Sequence, residues 1–442
     1  MKTAEIIATG NELIQGEVTN TNATYISQEL VRKGLSILYH TTVGDEVVSL
    51  GGAIERALER ADLVIITGGL GPTRDDVTRE AVSLACHRKL VMDKEALAHI
   101  QNLFRCRHQE MPESNLRQAM LPKGAILIPN KIGTAPGFCL SLPVDGEGRE
   151  GLTGKEIICL PGVPEEMKGM FHEWVIPHLE RLIPKKRHTL LKKIHIFGLP
   201  EALVGEKISY LMSPEANPKV GTMVHEGIIT LRLQAEAEEE AKARNMLEGA
   251  EQEIRQLLGE AVFGVEEENL GDAVASLLMK HGLTVAVAES CTGGLVCDLL
   301  TNVPGISKHL LGGMVVYTVK TKALLTGLPE ESIEQIGTVN PEITKLLASA
   351  IRERTGADIG LAVTGVAGPT SPHPDIPVGL VYIALATKGK CRDRSSDLSE
   401  ENQCTVKEFR FSGTRKWIKL LAAKHALNMV RLNLLELERA CV

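Results

Sequence analysis

Aromatic residues are scarce in this chain. Phenylalanine, tryptophan and tyrosine together make up 3% of its 442 residues. Stacking platforms for nucleic-acid bases are therefore not expected. The charge balance points the same way, with a formal net charge of −7 and no long basic run. Non-specific nucleic-acid binding is not favoured electrostatically, although a locally basic site for a phosphorylated metabolite stays compatible with these counts. The nine cysteines are scattered and include no Cys-x-x-Cys pair. Their spacing argues against a zinc site or a disulfide framework and for reduced thiols in a cytoplasmic protein. No apolar run is long enough to cross a bilayer, the first residues carry no signal-peptide pattern, and no membrane partner is expected. Internal repeats and low-complexity tracts are absent as well.

What remains is an ordinary globular composition, 43% hydrophobic and 24% charged, in a chain long enough for two or three domains. Three regions separate by pattern. From residue 1 to about 184, strand-like runs (Ile6–Thr9, Ile37–Val43, Leu63–Thr67, Ile157–Leu160) alternate with helical ones (Ala23–Lys33, Val48–Arg60, Lys94–Arg107, Pro164–Leu182). This alternation predicts an α/β domain with helices on both faces of a parallel or mixed sheet. The polar, glycine-rich stretch 142–154 reads as a long hairpin loop between two strands. The basic run Pro184-Lys185-Lys186-Arg187-His188 marks a boundary. Residues 185–265 read as a small α+β layer, with strands at Leu190–Phe197 and Ile228–Glu236 and helices at Glu201–Met212 and Glu238–Leu258. Its acidic run at 236–240 suits a solvated helix N-terminus, and Glu266-Glu267-Glu268-Asn269 reads as a linker. From 266 to 442 a second α/β domain is expected. It has a helix at Gly271–His281, strands at Leu283–Val287, Gly313–Tyr317, Asp358–Thr364, Leu380–Thr387 and Val406–Phe411, a polar insertion at 388–403, and a last helix at Thr414–Glu438.

The motif with the most chemistry is Ala288-Glu289-Ser290-Cys291-Thr292-Gly293-Gly294, between a strand and the helix-like run Leu295–Leu300. A strand–turn–helix order places the Ser290 hydroxyl where the first N–H groups of a helix are unpaired, able to bind a phosphate or stabilise an oxyanion. The plainer alternative is a capping residue among packing glycines. No histidine lies in a suggestive position, so a Ser-His-Asp triad is a weak reading. Lys322 is the better base, provided burial lowers its pKa, and the Tyr317 hydroxyl could relay the proton between them. A solvated helix lysine is the alternative for Lys322. Cys291 is either a rival nucleophile or a small buried filler. Thr364 and Gly365, in a second strand-to-glycine turn, could form another wall of the pocket. Arg415, opening the last helix, could grip a phosphate or carboxylate in a fork.

In the first region Thr67-Gly68-Gly69-Leu70-Gly71-Pro72-Thr73-Arg74-Asp75-Asp76 leaves an apolar strand and precedes a helix. Ligands of open α/β sheets bind beyond such strand ends. Glycines admit phosphate oxygens, and adjacent carboxylates suit Mg²⁺. A glycine turn followed by capping aspartates is the alternative. Glu12 and Asn22, from loops after the first strand, could join Asp75 and Asp76 in one cleft. The carboxylates of Pro161-Gly162-Val163-Pro164-Glu165-Glu166 more simply complement a helix dipole.

Together these motifs resemble the CinA family of competence/damage-inducible proteins, over nearly the whole chain. Gly10-Asn11-Glu12-Leu13, Thr19–Ala23, Thr42–Asp45, the 68–76 loop and Leu160–Met167 are similar to its N-terminal domain, which shares the molybdopterin-binding fold of MoaB and MogA. The resemblance implies metal-dependent ADP-ribose pyrophosphatase activity there, with substrate near Glu12, Asn22, Gly68, Gly69, Gly71 and Thr73 and a divalent metal, Mg²⁺ by preference, on Asp75 and Asp76. Phe197-Gly198-Leu199-Pro200-Glu201 resembles the family's KH-type domain but lacks a Gly-x-x-Gly clamp, so RNA binding is not implied. The last region resembles the nicotinamide mononucleotide (NMN) deamidase domain, PncC. That resemblance implies Ser290 as nucleophile, Lys322 as base and Tyr317 as relay, with substrate at Cys291, Thr292, Gly293, Gly294, Thr364, Gly365 and Arg415 and no cofactor required. It also implies a homodimer.

Three segments depart from the family pattern, and in the first an asparagine is replaced by Val319. Tyr-Ser-Asn-Glu-Ala-Lys becomes Tyr317-Thr318-Val319-Lys320-Thr321-Lys322. The glycine-rich stretch after Ala-Gly-Pro becomes Thr370-Ser371-Pro372-His373-Pro374. Arg74 stands where proline is commoner. The expected protein is thus a bifunctional NAD-salvage hydrolase. The alternatives are a non-enzymatic competence or DNA-damage interaction protein and a molybdopterin- or nucleotide-binding protein with degenerate sites.

Overall fold

The computed structural model describes residues 3–142, 154–182, 188–213, 215–371, 374–388 and 403–440. The insertions expected at 142–154 and 388–403, the basic junction 184–188 and the altered 370–374 loop lie wholly or partly outside them. The chain divides into two compact units, Met1–Leu190 with Ala235–Arg244, and Leu191–Gln234 with Asn245–Val442.

In the first unit Leu63–Thr67 is buried throughout, as its unbroken apolar sequence requires of a central parallel strand. It belongs to a six-stranded sheet of spatial order Ser36–Val43, Thr3–Thr9, Leu63–Thr67, Glu156–Leu160, Gly137–Ser141, Ile126–Ile128. The first four strands are parallel and the last two run antiparallel to their neighbours. Alternate side chains feed two cores. Ile7, Val64, Ile66 and Cys159 pack with the helices Val47–Arg60 and Thr78–Ala85. Ile6, Ile65, Ile158 and Leu160 pack with Thr21–Arg32 and the C-terminal helical segment. That last segment, expected as one helix, is an α-helix at Pro164–Met170, a π turn at Phe171–Val175 and a further α-helix at Ile176–Leu182. The chain leaves Thr3–Thr9 for one side of the sheet and Leu63–Thr67 lies on the other. The loops after these strands therefore flank a topological switch point.

In the second unit a four-stranded sheet runs Lys219–His225, Ile228–Ala237, His188–Ile196, Val262–Val265. The sequence reading found two of these strands. Lys219–His225 was missed because its hairpin turn, Glu226-Gly227, carries glutamate where asparagine or aspartate is the usual signal, although both residues adopt positive φ (50° and 77°). The acidic run 236–240 is split between the strand ending at Ala237 and the helix Glu240–Leu258, rather than lying wholly on a helix. The expected linker at 266–269 is a tight turn. Asn269 and Asp272 form a capping box that opens the helix Leu270–His281.

The second sheet of this unit has the order Leu310–Val315, Val285–Glu289, Ile359–Gly365, Leu380–Thr387, Gln403–Arg410, with three parallel strands followed by an antiparallel meander. The strand expected at 313–317 begins three residues earlier and ends two residues earlier. Its run Leu310-Leu311-Gly312-Gly313-Met314-Val315 pairs with Val285–Glu289, and Tyr317 falls in the loop beyond it. Three helices unassigned from sequence, Val319–Thr326, Glu330–Ile336 and Pro341–Thr355, cover one face. The long helix Arg415–Ala440 covers the other. Among the described residues no helix is long and apolar enough to cross a membrane.

Candidate functional sites

Ser290 follows the buried strand Val285–Glu289 at the sheet's C-terminal edge, and its N–H is fixed to the Val363 carbonyl of the neighbouring strand (2.9 Å). Lys322 comes from the helix Val319–Thr326, whose first turn is set by a reciprocal Thr318–Thr321 capping box. Its ammonium reaches inward and is 1% exposed. Nζ lies 3.1 Å from Ser290 Oγ and 2.8 Å from the Val316 carbonyl oxygen. Burial among apolar neighbours lowers its pKa from 10.5 to about 8. Ser290 itself is 8% exposed, on a cavity of about 410 Å³.

Glu289 was read only as part of the motif, and it changes the expected electrostatics. Its carboxylate, 1% exposed, accepts hydrogen bonds from the N–H groups of Gly294 (2.9 Å), Val296 (3.1 Å) and Cys297 (2.9 Å). The N-terminus of the helix Leu295–Thr301 is thus occupied by the chain's own carboxylate. Its donors are not free for a phosphate or an oxyanion, as the sequence reading had expected. In the turn, the N–H groups of Cys291 and Thr292 make no backbone–backbone hydrogen bond among the described residues, and that of Cys291 lies against its own thiol. The turn closes on Gly294, at φ 98°, a left-handed conformation that admits glycine readily.

The other expected residues of this region fall into two groups. Cys291, Tyr317, Gly365 and Arg415 line the cavity with Ser290, Lys322 and Val319. Thr292, Gly293, Gly294 and Thr364 do not. Thr364 is buried behind the wall, its hydroxyl 2.7 Å from that of Thr344, and Thr292 Oγ1 is buried without a partner. Tyr317 does not stand between serine and lysine, because the two touch directly. Its hydroxyl accepts from Arg415 Nη2 (2.7 Å), while Arg415 Nη1 donates to the Gly368 carbonyl (2.5 Å). The Cys291 thiol is buried and pushed up to about 12, which keeps it protonated at neutral pH.

In the first unit a cavity of about 430 Å³ lies beyond the strand ends at Thr9, Thr67 and Leu160. Gly68, Gly69, Gly71, Glu12, Asp75 and Asp76 line it. At Gly68, φ 102°, a Cβ would sit 2.4 Å from the Thr9 carbonyl oxygen, so this close approach of two loops requires glycine. Thr73 does not line the cavity; it gives both its N–H and its hydroxyl to Oδ2 of Asp76, which does. Asn22 does not line the cavity either. Its Nδ2 braces the Gly162 carbonyl (2.8 Å) and its Oδ1 is buried without a partner. Three contributors escaped the sequence reading. Asp45 and Glu166 also line the cavity. Arg79, buried, holds the glycine loop through the carbonyls of Leu70 (2.8 Å) and Gly71 (2.7 Å). Glu166 had been read as a dipole partner, and Asp45 entered only as the end of the Thr42–Asp45 motif, with no role at the cavity.

The chain matches the models of three domains in order: a probable molybdopterin binding domain at residues 5–181, a damage-inducible protein CinA KH domain at 191–264, and the CinA C-terminal domain at 267–434. It is 40% identical over 428 residues to a putative competence-damage inducible protein of Caldicellulosiruptor saccharolyticus, covering 97% of this chain and 98% of that one. The chain belongs to the CinA family. A CinA-like protein of Kosmotoga olearia is also 40% identical, covering 98% of this chain and 99% of that one. A crystal structure of a CinA protein of unknown function from Thermoplasma acidophilum is 34% identical and covers 41% of this chain and 98% of that one, with a TM-score of 0.36. The three domain matches give the architecture of a CinA protein: two α/β domains with a KH-type domain between them in sequence. Within that CinA framework Val319 stands on the cavity wall, at the first turn of the helix that carries Lys322.

Proposed function

We propose that the C-terminal domain is a serine amidohydrolase that converts NMN to nicotinate mononucleotide and ammonia. The observation that carries this reading is the buried Lys322 ammonium 3.1 Å from Ser290 Oγ. A pKa of about 8 leaves about a tenth of the lysine neutral at pH 7, enough to take the serine proton as Oγ attacks the amide carbon. The N–H groups of Cys291 and Thr292, in the turn after Ser290, are the donors available to the tetrahedral oxyanion. The protonated lysine returns its proton to the departing amine, and water then cleaves the acyl-serine with the same lysine as base. Arg415, held by Tyr317 and Gly368 on the cavity wall, offers a cation to the substrate phosphate. Tyr317 positions Arg415 in this scheme rather than relaying a proton. The test is ammonia release from NMN by the full chain, with Ser290→Ala and Lys322→Met as controls.

For the N-terminal domain the same reading is a metal-dependent ADP-ribose pyrophosphatase. A glycine loop at a sheet switch point with five carboxylates (Glu12, Asp45, Asp75, Asp76, Glu166) around one cavity supports it. These oxygen donors fit a hard divalent ion. They do not converge into a closed cage, and Mg²⁺ needs none, since it keeps waters and shares substrate phosphates. Asp75 and Asp76 would hold the ion, which would neutralise pyrophosphate charge and activate water. Arg79 and Thr73 hold the loop in shape around it. Release of AMP from ADP-ribose, dependent on added Mg²⁺, tests this half separately.

A further inference from the structure

We propose that Cys139, Glu156 and His178 of the N-terminal unit form a binding site for a zinc-type divalent metal, apart from the acidic cavity. Cysteine spacing argued against zinc because no two candidate ligands are close in sequence. The fold assembles them instead. Ser141 pairs with Glu156 across antiparallel strands, so Cys139, two residues before Ser141, projects from the same sheet face as Glu156. His178 comes down on that face from the helix Ile176–Leu182. One ligand atom from each residue, Sγ, a carboxylate oxygen and Nε2, lies within 4.8 Å of the other two. His178 Nε2 is 2.9 Å from Glu156 Oε2 and 3.9 Å from Cys139 Sγ.

The surroundings resemble the supporting shell of a metal centre more than a chance ion pair. The Ser141 hydroxyl donates to Glu156 Oε1 (2.8 Å), which turns the other oxygen towards the group. The Trp174 ring stacks on His178 at 4.5 Å and 21°, fixing the imidazole plane. Trp174 lies in the π turn Phe171–Val175, a rare irregularity that sets the rotation of the helix bearing His178. A thiolate, an imidazole and a carboxylate are the donors zinc selects, whereas Mg²⁺ would not take the sulfur. On binding, the Cys139 thiol releases its proton to solvent as the sulfur–metal bond forms. The proton that His178 Nε2 shares with Glu156 passes through solvent to Nδ1, so the His178–Glu156 hydrogen bond gives way to two metal–ligand bonds, one from Nε2 and one from the carboxylate. Thiolate and carboxylate then cancel the metal's two charges, which suits a buried site. The His178 side chain is 12% exposed, and a water would complete the tetrahedral set of a metal held there. Glu156 begins the strand whose far end, Leu160, leads to the acidic cavity, about 13 Å away at strand rise. The metal would clamp the last helix of the unit to its sheet and take no part in the cavity's chemistry.

The test is a Co²⁺ titration of the full chain after chelator treatment, followed by absorption. The expected result is a thiolate-to-cobalt charge-transfer band and tetrahedral d–d bands that saturate with one equivalent of Co²⁺ at this site and are displaced by Zn²⁺, whatever further Co²⁺ the acidic cavity takes up. Cys139→Ser should lose the charge-transfer band, and His178→Gln, at a partly exposed position, should bind at least about tenfold more weakly. Asp75→Asn should leave the bands unchanged. Absence of a thiolate band in the wild type, or its persistence in Cys139→Ser, would overturn the proposal. Circular dichroism of each variant separates ligand loss from misfolding.

Discussion

Lys322 donates to Ser290 through a single 3.1 Å contact, and the lysine's other partner is a backbone carbonyl, Val316, rather than a carboxylate. Among the described residues no carboxylate pairs with it to hold the proton on. Desolvation therefore dominates and the pKa falls to about 8. A salt-bridged lysine would stay charged and could not act as a base.

Deamidation should therefore depend on pH in a defined sense. With Lys322 required neutral, kcat/KM should rise about tenfold per pH unit below about 8 and level off above it. A rate profile from pH 6 to 9.5 checks this, and a profile flat across that range would remove lysine from the base role.

The same buried charge opposes folding. Between pH 8 and 10.5 the unfolded chain holds the lysine proton and the folded chain does not, so this group's contribution to stability improves as pH rises through that window. Lys322→Met should abolish turnover, leave the melting temperature at pH 7 unchanged or higher, and remove this pH-dependent gain. Calorimetry at pH 7 and pH 9.5 is the measurement.

Cys291 lines the cavity beside Ser290, but its thiol is pushed up to about 12 by burial. Cys291→Ala should keep most of the activity, and Ser290→Ala should lose at least about a thousandfold. The reverse pattern would make the cysteine the nucleophile.

Glu289 holds the turn on which Ser290 sits. Glu289→Gln keeps the volume but sets an amide against N–H donors, so a stability loss of about 1.5–3 kcal/mol is expected. Activity should fall with the pH profile unshifted, since the residue positions the loop without touching the proton. Urea denaturation and rate profiles read the two effects separately.

Much of this was legible in the chain. The unbroken apolar run at 63–67, the strand–turn–helix order around Ser290 and the glycine loop at 68–76 each announced themselves through period and composition. Other features rest on distant partners and left no local trace. Glu289 looks like any strand-end glutamate until its three N–H donors fold onto it. Thr364 belongs to a promising motif, yet strand alternation turns it into the core against Thr344. Tyr317 was placed on a strand because Met314–Tyr317 is apolar. The backbone pairing runs from Leu310 instead, which frees Tyr317 to meet Arg415. Cys139, Glu156 and His178 share no spacing at all.

Val319 tests how the cavity wall contributes. Lys322 is held without help from that position, so Val319→Asn should act on substrate binding alone. KM for NMN should fall by up to about tenfold, as for one added hydrogen bond, with the pH profile unmoved. A shifted pH profile would mean that position 319 tunes the lysine.

The most direct measurement is ammonia release from NMN by the purified full chain, wild type beside Ser290→Ala and Lys322→Met. The expected result is release by the wild type and none above background by either variant, with both variants folded. No release by the wild type, or undiminished release by Ser290→Ala, would contradict a serine–lysine amidohydrolase at this site.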